Sequence, residues 1–333
     1  MKQEHIKYFA CPDCSGELAI IKVERGQKGS IEDGQLQCCD CKVTYDVVRH
    51  VPRFVPVKNY AAGFGFEWNR HARTQYDSYT GTNISEKRFF QETKWSRNLR
   101  GQTILEVGSG SGRFTEQAAS TGAMVVSLDY SSAVDANYGS NGHKDNVLVV
   151  QGDIYSMPFK THFFDKLFCM GVLQHTPDPE GAFLCLPKYL KPGGSLAIDI
   201  YYYRWWRYLV VTRYWVRPIT KRLPPETLYR WCERYVNLMW PLSRWVDKLP
   251  KGRYINRALL IADYRGVYPL SEELLKEWAV LDTFDGLSPA YDKPKSLKEV
   301  KEWFTKAGLE NVEVYRGFSG IEGRGTKTAQ RTV

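Results

Sequence analysis

The chain has 333 residues, 43% hydrophobic and 25% charged, ordinary proportions for a globular protein with room for one large domain and a small one. No run of about 18 apolar residues is present to span a membrane, and no apolar segment follows Met1 to act as a secretory leader, so the cytoplasm is the expected address. The net charge of +9 is local: of 46 Lys/Arg and 37 Asp/Glu, residues 201–265 hold 14 and 4, leaving 32 and 33 elsewhere.

In chain order, residues 1–57 form a cysteine-bearing head. Cys11-x2-Cys14 and Cys38-x2-Cys41 stand 23 residues apart, and two such knuckles can give four thiolates to one tetrahedral zinc. The alternative, a redox CxxC, needs a single pair on a βαβ unit, and here there are two pairs. Cys39 reads as a spare thiol. So short a head cannot build a sufficient core by itself, and a zinc would fold it. Its end, "HVPRFVPV", reads as an exit strand and linker.

Residues 58–200 carry the longest regular pattern. "FGFEWNRHARTQYDSYTG" mixes aromatics and charge, with Arg70 and His71 reading as solvated polar residues in a segment that could fold over a ligand. "SEKRFFQETKWSRNL" is helix-like. From residue 103, "TILEV", "MVVSLD", "NVLVVQGD", "FFDKLFCMGV" and "SLAIDIY" alternate with stretches of helical length, which predicts a doubly wound, mostly parallel sheet with helices on both faces. "LKPGGS" at 190–195 reads as a helix stop and a turn. Residues 201–280 interrupt the alternation with a helical, aromatic and basic insert, of which 201–265 holds six of the ten tryptophans. Residues 281–333 return to the core, with Ser296 and Glu299 placed as a capping box and "NVEVYRG" and "GIEGRGTKT" as a final hairpin.

"ILEVGSGSGRF" (104–114) takes a strand into three glycines at alternate positions. A phosphate loop needs GxxxxGK[ST], and no such Lys follows. A dinucleotide fingerprint needs GxGxxG, but Arg113 stands where its third glycine belongs. Gly108, Gly110 and Gly112 instead give GxGxG. That form resembles the S-adenosylmethionine loop of class I methyltransferases, and without Cβ atoms these residues would let backbone approach the adenosine and amino-acid tail that the resemblance implies. Asp129, 21 residues after Gly108 at the end of the second strand, could accept both hydroxyls of a ribose. Asp153 after the third strand could accept from an adenine amino group. Glu106 could orient a positively charged tail. Ile154 and Met170, near the ends of the third and fourth strands, join the set. A glycine turn with solvated acids is the bland alternative.

The GxGxG loop, the acids and "GVLQHTPDP" after strand four resemble class I S-adenosylmethionine-dependent methyltransferases, most closely those related to ubiquinone and menaquinone biosynthesis enzymes. "FGFEWNRHARTQYDS", "GVLQHTPDPEGAF" and "LDTFDGLSPAYDKP" resemble a bacterial subgroup of them. The resemblance implies a seven-stranded Rossmann-like sheet, S-adenosylmethionine as cofactor, and a helical insert after strand five. The head, "CPDCSGEL…CCDCKVTYDVVRHVPRF", resembles the zinc-ribbon adaptor that activates several tRNA and protein methyltransferases, which brings in RNA as an alternative partner.

For methyl transfer to a hydroxyl, His175 is the first candidate base, and a histidine packed in its turn is an equal reading. Asp282, Asp285 and Tyr291 could face the acceptor or be turn residues. "NPPY" after strand four is absent, which argues against methylation of adenine or glutamine nitrogen. The favoured acceptor is a small or lipid- or nucleotide-linked molecule, such as a sugar precursor or an aromatic ring. "RWWRYLVVTRYWV" and "TLYRWCERYVNLMWPLSRWV" interleave aromatics with arginines. They suit a cap over an anionic, partly apolar acceptor, peripheral membrane contact through 201–265, or stacked bases beside phosphates.

Overall fold

The computed structural model describes residues 1–333 apart from 28, 57–58, 206–210 and 330–333. The expected boundary between head and core at 57/58, and Arg207 with its neighbours in the insert, lie outside the described residues.

The expected parallel sheet is present and larger than expected. Strands Thr103–Val107 (β5), Met124–Asp129 (β6), Val147–Gln151 (β7), Phe164–Cys169 (β8) and Leu190–Ile200 (β9) pair in parallel. Leu309–Arg316 (β10) and Ile321–Lys327 (β11) form the expected hairpin, with β11 antiparallel to β9. These seven run in the order β7-β6-β5-β8-β9-β11-β10. The sheet does not stop at seven, however. Leu18–Arg25 (β1), Asp33–Cys38 (β2), Thr44–Val48 (β3) and Val51–Arg53 (β4) add an antiparallel meander at the β7 edge, giving eleven strands. The physical reason is an otherwise open edge: β4 joins β7 through a single register pair, Arg53↔Gln151, covering it as edge strands commonly are. Arg53 also bonds the Gln151 side chain at 2.7 Å and pairs with Asp135.

The central strands are nearly continuous apolar runs because both faces are covered. Leu105, Val107, Val126 and Leu128 face one cluster, which also takes in Phe9, Leu36 and Tyr45 of the head. Ile104, Val125, Val147 and Phe168 face the other, with Phe89 of helix Ile84–Thr93 and Phe114 of helix Arg113–Ser120. A third cluster lies in the insert, where Leu228, Cys232, Val236 and Trp240 pack on Leu275, Ala279 and Phe284.

The helices are Ala62–Arg70 (α1), Asp77–Thr80 (α2), Ile84–Thr93 (α3), Arg113–Ser120 (α4), Val134–Asn141 (α5), Pro179–Cys185 (α6), Arg213–Thr220 (α7), Pro225–Asp247 (α8), Gly252–Ala258 (α9), Glu272–Leu287 (α10) and Leu297–Lys306 (α11). Helix α10 runs through the expected 280/281 boundary, so the insert and the returning core share one helix. Ser296 caps α11 with Glu299 in a capping box. Residues 190–195 differ from expectation. They belong to β9, where an irregular register after Phe164 and the positive φ of Gly193 absorb the bend that the sequence suggested as a turn.

Candidate active site and cysteine cluster

The site grows from the turn between β5 and α4. Gly108 and Gly112 have φ of 81° and 94°. A Cβ on Gly108 would lie 2.2 Å from Val172, and one on Gly112 2.1 Å from the Asn137 amide, so glycine is the residue that lets strand, loop and helix close together here. Beneath the loop, Glu106 is buried and accepts from Thr115 at 2.5 Å and Ser127 at 2.8 Å. Burial pushes its carboxyl up to about 8. Asn137 donates to the same two hydroxyls, at 3.1 and 2.8 Å, and Asn141 donates to Tyr76 and to the Gly112 carbonyl.

Above the loop lies a cavity of about 360 Å³, in the range of small-ligand pockets. Of the residues singled out in the sequence, Gly108, Gly110, Asp129, Ile154, Met170, His175, Asp282 and Asp285 line it together. Asp129 is fixed on both sides. One oxygen accepts from the Gly110 amide at 2.8 Å, and the other accepts from the Ser131 amide and hydroxyl at 2.8 and 2.7 Å. Burial raises its pKa despite these donors. Glu106, Gly112, Asp153 and Tyr291 are not in the lining. Glu106 lies behind the loop, and Gly112 ends it, packed against Asn137 and Asn141. Asp153 sits between two lining residues, Gly152 and Ile154, with its side chain accepting from the Tyr155 amide at 3.0 Å.

His175 Nδ1 lies 2.9 Å from the Tyr291 carbonyl, which can only accept, so in the neutral ring Nδ1 carries the proton and Nε2 the lone pair. The Phe64 and Tyr201 rings flank it, at centroid distances of 5.1 and 5.6 Å. The Tyr291 ring packs edge-on against Tyr60.

The far wall comes from the insert and α10. Tyr264, Tyr268 and Trp278 stack in series, with centroids 5.1 Å apart at each step. Asp282 accepts from the Tyr264 hydroxyl. Burial, opposed by that bond and reinforced by Asp285, takes its carboxyl up to about 7. Two arginines complete the lining. Arg88 pairs with Asp199 and with Glu92. Arg113 is pulled down to about 10 by burial and then by Arg88.

Trp68, Arg88, Arg113, Tyr264, Tyr268 and Trp278 were not singled out from the sequence. Arg113 follows Gly112 directly, so its place beside the motif was a usable signal. The stacked rings come from long-range packing and had none. His71 also departs from its solvated reading. It is buried, with Nε2 2.8 Å from the Tyr229 hydroxyl and Nδ1 3.1 Å from Thr74, and it ties α1 to α8. Arg70 remains half-exposed, stacked on Tyr229.

In the head, the ligand atoms of Cys11, Cys14, Cys38 and Cys41 all lie within 4.8 Å of one another. Cys11 and Cys41 are 3.6 Å apart, and Cys14 and Cys38 3.4 Å. Each knuckle turns through a left-handed residue just after its second cysteine, Ser15 and Lys42, both at φ 64°. The Asp40 amide points at Cys38 Sγ at 3.4 Å. Cys39 is exposed and outside the cluster.

Residues 105–198 match the methyltransferase domain family. The sterol 24-C-methyltransferase of Saccharomyces cerevisiae is 35% identical over 111 residues, which cover 32% of this chain and 28% of that enzyme. The ubiquinone biosynthesis O-methyltransferase of Pasteurella multocida is 28% identical over 160 residues, covering 41% and 66%. A crystal structure of an S-adenosylmethionine-dependent methyltransferase from Methanosarcina mazei aligns over 71% of this chain and 95% of its own, at 16% identity and a TM-score of 0.41. The chain thus spans 28% of the length of the yeast enzyme and 66% of the Pasteurella one. Residues 105–198 are a methyltransferase domain.

Proposed function

We propose that the whole chain transfers the methyl group of S-adenosylmethionine to a hydroxyl or carbon of a small or lipid- or nucleotide-linked acceptor, such as a sugar precursor or an aromatic ring. The observation that carries this reading is the shared cavity: the glycine loop and Asp129 on one side, His175 between, and Asp282 with the aromatic stack opposite.

S-adenosylmethionine, when bound, supplies an electrophilic methyl on a sulfonium. The chain's part is to hold both reactants in line, which is worth about 7–11 kcal/mol in well-oriented systems. Gly108 and Gly110 would give backbone access, and Asp129 would accept from the ribose. Ile154 would border the adenine, with Asp153 next to it outside the lining, and Met170 would border the methionine end. Glu106 acts from beneath, and Gly112 from the end of the loop, by fixing it. With a hydroxyl acceptor, the acceptor oxygen forms the new C–O bond as the S–C bond breaks, and its proton passes to Nε2 of His175. Asp282 orients the acceptor, while Tyr291 acts through its carbonyl on His175. The rings of Tyr264, Tyr268 and Trp278 give the acceptor a flat apolar wall.

The cysteine cluster fits a structural zinc. Tetrahedral zinc with Zn–S bonds near ~2.3 Å puts its sulfurs about 3.8 Å apart, close to the two contacts above. Cys11, Cys14, Cys38 and Cys41 would hold it and fix the meander on the sheet edge.

A second reading, methylation of tRNA or rRNA held by the head and the basic insert, is favoured by the charge gathered in 201–265. Incubating the enzyme with methyl-tritiated cofactor and separate lipid, glycan, quinone and RNA extracts distinguishes the two. Label in a non-RNA fraction, lost with His175→Ala, supports the first reading. Label confined to RNA overturns it.

A further inference from the structure

We propose that the outer face of α8 and α7 is a docking surface for an anionic lipid membrane. This goes beyond methyl transfer and does not depend on which acceptor the cavity takes.

Helix α8 has two opposed faces. Leu228, Cys232, Val236 and Trp240 are buried against α10. On the outside, Trp231, Leu238, Leu242 and Trp245 follow at steps of seven, four and three residues, which sets them on a single stripe. Three of the four are more than 60% exposed, at 68%, 77% and 63% for Trp231, Leu238 and Trp245. Helix α7 separately exposes Trp215 and Ile219, and Leu223 follows it, each one turn apart. Scattered apolar residues need no explanation, but a stripe of this length on a soluble face does.

The flank of the stripe identifies what covers it. Arg230, Arg234 and Lys248 line its neighbouring edge and are exposed, whereas Glu233 is turned toward Arg70. Tryptophan and leucine bordered by arginine and lysine is the chemistry of the bilayer interface. There, indole rings sit at headgroup depth, aliphatic chains enter the acyl boundary and cations meet anionic headgroups. A second copy of the chain fits poorly, because a two-fold contact on this stripe would press each basic edge against itself. RNA fits poorly too: leucine and isoleucine side chains offer bases no ring to stack on. No helix among the described residues is long and apolar enough to cross a membrane, so the contact is peripheral.

The test is flotation of the full chain with vesicles of phosphatidylcholine alone and of phosphatidylcholine mixed with phosphatidylglycerol. The wild type is expected to float with the mixed vesicles, with a blue shift of tryptophan emission, and to be released by high salt. Leu238→Ser with Trp245→Ser should weaken that partitioning by about tenfold or more, since two interfacial side chains are lost. Circular dichroism and cofactor calorimetry of the variant report whether its fold is kept. If flotation fails with the wild type, the proposal is overturned. It is also overturned if the variant binds vesicles unchanged, if the stripe instead drives dimerisation in ultracentrifugation, or if it retains an RNA oligomer but not vesicles. Loss of S-adenosylmethionine binding with flotation intact would overturn the methyltransferase reading and leave this one standing.

Discussion

The imidazole of His175 is held by the backbone carbonyl of Tyr291, 2.9 Å from Nδ1 and 116 residues away in sequence. The bond joins the turn after β8 to the segment after α10, and it leaves the lone pair of neutral His175 on Nε2. His175→Ala should lower kcat by about 10²–10⁴-fold, the usual worth of a positioned base, with little change in cofactor affinity. Tyr291→Phe should be nearly silent, because the contact is made by the main chain. Steady-state kinetics on both variants checks this. A large kcat loss in Tyr291→Phe with His175→Ala unaffected would move the role to the phenol.

Glu106 gives a pH dependence with a definite sign. Its folded pKa of about 8 lies above the unfolded value near ~4.3, so the folded state prefers the protonated acid. The stability this brings is full below about 4.3 and is lost as pH rises through about 8. Glu92, at about 8, and Asp282, at about 7, are raised mainly by burial and act in the same direction. Thermal melts should therefore fall as pH rises across this window, and Glu106→Gln should flatten the fall. A variant whose melting curve keeps the full slope would show that Glu106 is not the group responsible.

The cysteine cluster predicts one zinc per chain. Cys14→Ser should release it and loosen β1 to β4, and Cys39→Ser should do neither, since Cys39 is exposed outside the cluster. Elemental analysis with circular dichroism decides it; full zinc in Cys14→Ser refutes the ligand set.

Local chemistry made part of this legible from the sequence. The glycine spacing, the apolar strands and the Ser296–Glu299 box each act within a few residues, and the structure has them where the pattern puts them. Asp129 was readable because strand and loop fix its place. What was not readable depends on distant partners. The extension from seven strands to eleven rests on one pair, Arg53↔Gln151. His71 looks solvated until Tyr229, far along the chain, closes over it. Tyr264, Tyr268 and Trp278 are three aromatics among many until the insert folds back and stacks them in the cavity.

The claim on which the rest stands is that this cavity takes S-adenosylmethionine. Asp129 is held in place by Gly110 and Ser131 with its carboxylate on the cavity wall. Charged hydrogen bonds contribute roughly 1.5–3 kcal/mol each, so losing two should cost about 3 kcal/mol or more. Isothermal titration of the purified chain and of Asp129→Ala, with S-adenosylmethionine and with NAD, is the direct measurement. The account predicts one S-adenosylmethionine per chain, binding more than a hundredfold weaker in Asp129→Ala by about that energy, and no binding of NAD. Tight NAD binding without S-adenosylmethionine binding would contradict it.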